Sequence, residues 1–336
     1  MSAASSEEAW SILERTPPQD LTTRVSGVSV DAGTVVHALD AQRHRHLLLP
    51  VLETDSEVED TKSRGVSVQT RLLIGAPDSV ERRFIDVRCE EMALNDLFST
   101  VCDEMLEQCE RIPENPGLAV TTVLERWRDL LGPASRRLLG EQELKGLLAE
   151  LHVLEDLAAV APDRALLLWT GPNRARHDFT GLLAACEVKA SSLADEVKIH
   201  VNGLNQLAAP PSSRLYLSVE RFERVPMGGD SVPDVIDRLV ENGIARHSIL
   251  QGISKIGVQP ADLSAYAQVR FKSQERRIYL VNQHFPRLTP DLLVGTTAAD
   301  RVSNVEYVLN LSAQPPVPLG PTAVDNLADW LLEGTA

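Results

Sequence analysis

Lysine is scarce in this 336-residue sequence, where arginine supplies most of the 33 basic residues. Only six lysines are present, so every motif that requires one can be checked. The four cysteines form no Cys-x-x-Cys pair and have no metal-site spacing, which excludes a disulfide scaffold and gives no sign of a cysteine metal site. We expect four reduced, mostly buried thiols in a cytoplasmic protein.

Long apolar segments are also absent. No run of about 18 apolar residues occurs, so neither a membrane-spanning helix nor a membrane partner is expected. The first residues lack the basic and apolar regions of a signal peptide. The composition, 43% hydrophobic and 24% charged, is that of a soluble globular protein. The length predicts a sizeable core and roughly two domains.

Negative charge dominates, with 48 acidic residues and a net charge of −15. This charge opposes nucleic acid at long range. Its distribution is uneven, because residues 164–224 carry a net charge of +2 and residues 270–287 carry +4. The second stretch predicts a basic hairpin over residues 270–281 that supplies phosphate contacts, with an ordinary charged edge hairpin as the alternative. Delivery by a partner subunit would fit the acidic remainder.

The pattern of apolar residues predicts a β-rich module over residues 1–92, a helical connector over 93–140 and a larger domain over 141–336. In the module, short runs rich in Val, Leu and Ile predict strands at residues 25–30, 46–52, 65–74 and 82–89, with a polar loop at 54–64. Apolar residues at helical spacing predict helices over residues 94–106, 120–131 and 141–159.

Beyond these helices, the pattern predicts a mixed sheet. The expected order is four strands, a short helix and a strand, at residues 165–169, 177–179, 182–190, 197–201, 203–208 and 215–219. Together with the preceding helix, this order places the fold in the α/β or α+β class, with a sheet flanked by helices. A helix, the hairpin, a strand and a closing helix follow at residues 232–242, 270–281, 302–311 and 321–332.

The sharpest chemical feature is a pair of acidic positions on two neighbouring predicted strands. Asp178 lies on the first, and Glu187-Val188-Lys189 ends an apolar run nine residues later. Residues i and i+2 of a strand face the same side, so Glu187 and Lys189 project together, and strand pairing would bring Asp178 close to Glu187. Two carboxylates about 5 Å apart repel by roughly 3 kcal/mol at an effective dielectric of about 20. A Mg²⁺ ion would relieve that repulsion, and metal, water and ammonium together describe phosphodiester hydrolysis.

The acid-x-Lys pattern by itself is weak evidence, because the composition predicts about one occurrence by chance. It occurs four times, at Lys62, Lys145, Lys189 and Lys198. The first lies in a predicted loop and the second near a helix start, where i and i+2 point apart. The Glu196–Lys198 pair is the serious rival, since it could share a strand face. We favour Glu187 and Lys189, which end a run long enough for a central strand, and expect the rival pair on a solvated face.

The arrangement resembles the PD-(D/E)XK, or restriction-endonuclease-like, nuclease superfamily, and in detail the bacterial proteins described as PD-(D/E)XK motif proteins. The superfamily core is a helix, three antiparallel strands, a helix and a strand, with Asp and Glu-x-Lys on the second and third strands. The matching motifs are Gly146–Leu151, Trp169–Pro172, His177–Phe179, Glu187–Ser191 and Asn205–Leu207. One departure is that His177 stands where the superfamily pattern has Pro.

The resemblance implies roles for individual residues. Asp178 and Glu187 would be metal ligands, joined by Glu150 from the helix, and Lys189 would be the catalytic lysine. Gln206 would occupy a polar position on the following helix. For Glu150 and Gln206, an ordinary surface residue is the alternative. We also assign contacts with DNA to Arg174, Arg176, Ser191, Arg276 and Arg277.

Three functional hypotheses are compatible with the sequence. The first, which the resemblance implies, is a Mg²⁺-dependent endodeoxyribonuclease, with Mn²⁺ as a substitute, acting on DNA with protein partners from a prokaryotic restriction or defence operon. The second is a catalytically silent subunit on the same scaffold that binds DNA or a protein partner. The third is a purely structural acidic protein whose acidic side chains do not converge. The recognition sequence and a homo-oligomeric state stay open.

Overall fold

The computed structural model describes residues 5–17, 20–60, 63, 65–74, 81–128, 130–131, 137–192, 196–294, 301–302 and 305–334, with Ile74 and Leu293 described by their backbone alone. The chain divides into two compact units. The first comprises Met1–Arg136 and Gln259–Asp262, and the second Arg137–Val258 and Leu263–Ala336. The second unit contains all the residues of the predicted active site.

The first unit is built on an antiparallel sheet. Its elements are α1 (Ser6–Leu13), β1 (Leu21–Val30), β2 (Gly33–Asp40), β3 (Arg45–Pro50), β4 (Glu59–Asp60), β5 (Val66–Ile74), β6 (Glu81–Cys89), α2 (Asn95–Arg111) and α3 (Pro116–Trp127). The strands follow the order β1-β2-β3-β6-β5-β4, and neighbours pair antiparallel throughout. Helices α2 and α3 therefore belong to the same unit as the sheet.

The four strands predicted for this region are confirmed, and three further elements were missed: strand β2, helix α1 and the two-residue strand β4, which lies in the segment predicted as a polar loop. Strand β2 is buried at five consecutive positions, 35–39, so it shows no alternation of apolar and polar residues that would mark a half-buried strand. Helix α1 has only eight residues, of which Trp10 and Leu13 are buried. It is too short to show a repeated helical stripe.

The second unit carries two sheets. Its elements are α4 (Glu141–Val160), α5 (Pro162–Leu168), β7 (Phe179–Thr180), β8 (Ala184–Ser191), β9 (Lys198–Asn202), β10 (Arg214–Val225), α6 (Val232–Glu241), α7 (Arg246–Lys255), α8 (Leu263–Tyr266), β11 (Arg270–Leu280), β12 (Glu306–Asn310) and α9 (Ala323–Leu332). The main sheet has the order β11-β10-β8-β7, and β9 pairs with β12 in a two-stranded ribbon. Strands β8 and β10 are parallel, whereas the other pairs are antiparallel.

Both faces of the main sheet are covered. On one face, Ile199 and Val201 of the ribbon pack in a core with Leu217 and Val219 of β10. On the other face, His152 of α4 contacts the β10 residue Glu220. Strand β8 lies beside β10 in this sheet and is buried at six of its eight positions, as is usual for parallel strands. The predicted α+β class, a mixed sheet flanked by helices, is confirmed.

The strand predicted at residues 165–169 is wrong, because the structure places helix α5 at Pro162–Leu168. Proline is favoured in the first turn of a helix, and Asp163 follows it there. A run of five apolar residues cannot distinguish a buried strand from a short buried helix. Only Trp169 forms a bridge, with Phe179.

Two further predictions in this unit are wrong. The segment 270–281 is not a hairpin but one strand, β11, paired along β10. Its Ser273-Gln274 pair lies at a register shift opposite Arg221 and Phe222, so these turn-forming residues mark a bulge. Residues 203–208 form turns and no helix. In the described part of the chain, no helix is long and apolar enough to cross a membrane.

Candidate active site

Strand pairing places the two central carboxylates opposite each other. Phe179 of β7 pairs with Cys186 of β8, so Asp178, one residue earlier, lies across from Glu187. The Oδ2 atom of Asp178 accepts a hydrogen bond of 2.7 Å from the backbone nitrogen of Val188. The pairing of these two strands is the one that the sequence predicts.

Glu187 and Lys189 share one face of β8 and form an ion pair. The Nζ atom of Lys189 lies 2.7 Å from Oε1 of Glu187, and the two side chains are 15% and 2% exposed. The same ammonium donates to Oε1 of Gln206 at 3.2 Å, and that oxygen also accepts from the backbone nitrogen of Asn202 at 2.8 Å. Gln206 lies in a turn and not on a helix, but it does hold the ammonium in place.

Glu150 comes to the same place from helix α4. Its Oε2 atom accepts a 2.8 Å hydrogen bond from Nε1 of Trp169. A Cβ atom at Gly171 would lie 3.0 Å from Oε2 of Glu150 and 3.1 Å from Oδ1 of Asp178. Both carboxylates therefore border the space that the missing side chain of Gly171 leaves open.

Burial and mutual repulsion raise the pKa values of these acids. Burial, followed by the charge of Asp178, raises the pKa of both Glu150 and Glu187 to about 8. Burial also raises the pKa of Asp178, although Lys189 and the Val188 N–H act in the opposite direction. Three carboxyl groups thus share one ammonium, and a further cation or protons must compensate the remaining charge.

The ligand chemistry of this group suits a divalent cation. Among the described residues, Oδ1 of Asp178, Oε1 of Glu150 and Oε2 of Glu187 accept no hydrogen bond. Carboxylate oxygens are the ligands that Mg²⁺ and Mn²⁺ prefer. No group of three or more His, Cys, Asp or Glu side chains in the described ranges is already gathered as a metal site.

The residues predicted to contact DNA fall into two places. Arg174 and Arg176 are exposed close to Asp178 in sequence, and Arg176 lines a cleft of about 390 Å³ together with Gln206. Arg276 and Arg277 lie on β11, which β10 separates from β8. The structure therefore does not bring these last two together with the carboxylates. Ser191 lies on β8, two residues beyond Lys189.

The two arginines of β11 are already engaged by acids. Arg276 pairs with Asp156, and its side chain is 11% exposed. Arg277 pairs with Glu275 through Nε at 2.8 Å. Their assignment to DNA contacts stays a prediction.

The two other acid-x-Lys positions that the structure describes do not converge on a group of carboxylates. Lys198 pairs with Glu196, and both side chains are more than two-fifths exposed, so the prediction of a solvated face is confirmed. Lys145 pairs with Glu141 at 2.7 Å, one helical turn earlier, and not with Glu143. Lys62 lies outside the described residues.

Two positions matter more than the sequence indicated. The resemblance assigns no role to Trp169 or Gly171, but the first donates to Glu150 and the second makes room for two carboxylates. Neither residue type carries charge, so no spacing of acids reveals them. His177 is buried, and burial together with the charge of Arg176 lowers its pKa to about 4, so it is neutral at pH 7.

The whole pattern corresponds to one family. A family model with the description "Putative PD-(D/E)XK family member" (DUF4420) matches residues 6–312. The chain belongs to the DUF4420 family. The match covers most of both units and confirms the resemblance to PD-(D/E)XK nucleases. No curated protein and no solved structure matches this DUF4420 chain.

Proposed function

We propose that this chain is a metal-dependent endodeoxyribonuclease that hydrolyses phosphodiester bonds of DNA. The observation that carries the proposal is Asp178 opposite Glu187, with Lys189 paired to Glu187 at 2.7 Å. Membership in a PD-(D/E)XK family supports it, because such nucleases usually use divalent metals. The proposal extends to a setting in prokaryotic restriction or defence, with proteins of the same operon as partners, which the resemblance seen in the sequence implies.

Asp178 and Glu187, with Glu150 as a third ligand, would hold Mg²⁺ or Mn²⁺. When bound, the ion would offset the carboxylate charge, polarise a phosphoryl oxygen and favour ionisation of water. Gly171 leaves the space next to two of these ligands open. Trp169 keeps the Glu150 carboxylate turned toward the group through its 2.8 Å hydrogen bond.

Lys189 is the group that this chain supplies for the attacking water and the transition state. Its ammonium is fixed between Glu187 and Gln206 and keeps 15% of its surface exposed. A fixed ammonium can orient a water and stabilise negative charge that develops on phosphoryl oxygens. Preorganisation of this kind is effective because the group does not need to reorient during the reaction.

A catalytically silent subunit that binds DNA or a protein is the second candidate. One observation favours it: the net charge of −15, which weakens contact with a polyanion at long range. It predicts that DNA stays intact with either Mg²⁺ or Mn²⁺.

The test compares cleavage of plasmid DNA by the full-length chain in Mg²⁺, in Mn²⁺ and in EDTA. Asp178→Asn and Lys189→Met should reduce cleavage to background without loss of the folded structure by circular dichroism. Asp329→Asn changes an exposed carboxylate of helix α9 and should leave cleavage unchanged. Cleavage that persists in both site variants would refute the assignment. An intact plasmid under all conditions would favour the silent subunit.

A further inference from the structure

Ser191 extends the line of side chains that begins with Glu187 and Lys189. The three residues alternate along β8, so they lie on one face of the strand. Two residues of a strand span about 7 Å, a distance on the order of the separation between consecutive phosphates of a DNA strand. A nucleotide chain whose scissile phosphate lies at Lys189 would therefore reach Ser191 with the adjacent phosphate.

The hydroxyl of Ser191 has no hydrogen-bond partner within the described residues, although the residue is only 2% exposed. Buried hydroxyl groups are almost always paired, because an unpaired one loses its interaction with water and gains nothing in return. This hydroxyl is therefore a donor and acceptor that the described part of the chain leaves unused. An external ligand would provide the missing partner.

Ser191 lines a cleft of about 730 Å³ together with the outward face of the β9–β12 ribbon. Lys198 and His200 of β9 are exposed there, because the buried residues of that strand alternate with them. Asn310 of β12 lies opposite Lys198. Its Oδ1 atom accepts from the backbone nitrogen of Ser312 at 2.9 Å, which leaves its amide hydrogens as the group that can donate.

The described residues that line this cleft provide donors and no carboxylate. Their side chains supply two hydroxyls, an ammonium, an imidazole and amides, from Ser191, Ser192, Lys198, His200, Asn310 and Gln142. These are the groups that bind phosphate oxygens in protein–DNA contacts. The ion pair of Lys198 with Glu196 does not prevent this role, because both side chains are largely exposed and exposed pairs are weak.

We propose that this cleft binds the DNA phosphate adjacent to the scissile phosphate on the same strand. Ser191 donates its hydroxyl, and Lys198, His200 and Asn310 supply charge and hydrogen bonds on the opposite wall. The subsite rests on the proposed function, since its position is defined relative to Lys189. It makes Ser191 and the outer face of the ribbon part of the substrate-binding surface.

The test measures binding in EDTA, where no metal-dependent cleavage takes place. Fluorescence anisotropy follows a labelled DNA duplex added to the full-length chain. Ser191→Ala should weaken binding on the order of tenfold, as expected for the loss of a hydrogen bond to a charged group. The same variant should unfold at the same temperature as the wild type or higher, because it removes an unpaired buried hydroxyl. A merely structural role for Ser191 would lower the unfolding temperature instead.

Lys198→Met should weaken binding to all DNA sequences alike and reduce the slope of log affinity against log salt concentration by about one, the value for one lost phosphate contact. The matched control is His284→Ala. His284 is exposed and follows β11, which ends at Leu280. Leu280 pairs with Tyr216, near the start of β10. His284 lies at the end of the sheet remote from Ser191 and should leave binding unchanged, whereas His200→Ala should weaken it.

The outcomes separate the subsite from the proposed function. A wild-type chain that cleaves DNA, combined with unchanged binding by Ser191→Ala and Lys198→Met, would overturn the subsite and leave the nuclease. A chain that binds DNA with the expected losses but cleaves nothing with Mg²⁺ or Mn²⁺ would support the subsite and overturn the nuclease. Absence of DNA binding by the wild type would overturn the subsite. The subsite would also be overturned if inorganic phosphate displaced the DNA completely, because the cleft would then be a binding site for a free anion.

Discussion

Asp178 lies across from Glu187, and its carboxylate is held 2.7 Å from the backbone nitrogen of Val188 in the same strand as Glu187. The two acids therefore cannot separate to relieve their repulsion without breaking the end of the β7–β8 pair. Lys189 offsets part of this charge, at 2.7 Å from Glu187. The fold thus holds an excess of buried negative charge at one defined point.

Asp178→Asn should lower the pKa of Glu187, which burial and the charge of Asp178 raise to about 8 in the native chain. An amide keeps an oxygen for the Val188 N–H but removes the charge. A titration of the glutamate carboxyl carbons by NMR in metal-free buffer measures the effect, with Asp329→Asn as the control. An unchanged pKa of Glu187 would show that the two carboxylates do not interact.

Gly171→Ala should reduce cleavage by a factor on the order of a hundred, the effect of small displacements in an active site. The new methyl group would lie 3.0 Å from Oε2 of Glu150 and 3.1 Å from Oδ1 of Asp178, so both carboxylates must shift. Gly146→Ala is the matched control on helix α4, since a Cβ there meets nothing within 4 Å. It should stabilise the chain by about 0.5–1 kcal/mol. Equal activity of the two variants would contradict this role of Gly171.

Trp169→Phe should raise the pKa of Glu150 further, because the indole N–H is the hydrogen bond that lowers it. The ring volume is largely kept, so the fold should persist. A carboxylate that ionises less readily binds a divalent cation more weakly at neutral pH. Calorimetric titration with Mn²⁺ at pH 7 measures the loss, and a recovery of affinity at higher pH would identify its cause.

Stability of the first unit should depend on His37. Burial, followed by the charge of Arg24, lowers the pKa of His37 to about 4, and its Nε2 lies 2.9 Å from Oγ of Ser6. A histidine whose pKa is lowered in the folded state makes the free energy of unfolding decrease as the pH falls. The decrease begins at about pH 6.5, where the unfolded form takes up a proton, and ends at about pH 4, where the folded form does. The loss should be on the order of 3 kcal/mol.

His37→Gln removes this titration. Urea unfolding between pH 7 and pH 4 should then show a smaller pH dependence of the free energy of unfolding than in the wild type. Carboxylates contribute the same background in both proteins, so the difference between the two slopes isolates His37. Identical slopes would contradict the assignment.

Local sequence patterns were sufficient for much of the fold. The apolar stripe of helix α4 and the alternation in β9 are visible without coordinates. The segment 165–169 was not predictable in this way, because its apolar residues satisfy both a strand and the helix α5. Ser273-Gln274 could equally form a turn or a bulge, and the outcome depended on the neighbouring strand β10.

The sequence by itself determined which residues can do chemistry: a carboxylate at Asp178, and the Glu187–Lys189 pair on one face of a strand, since alternation is a local property of extended backbone. Only the tertiary structure decided that Glu150 joins them, that Trp169 and Gly171 shape the site, and that Lys198 faces a cleft beside Ser191. These relations link segments that are distant in the chain. Strand register and helix packing create them, and no spacing of residues encodes them locally.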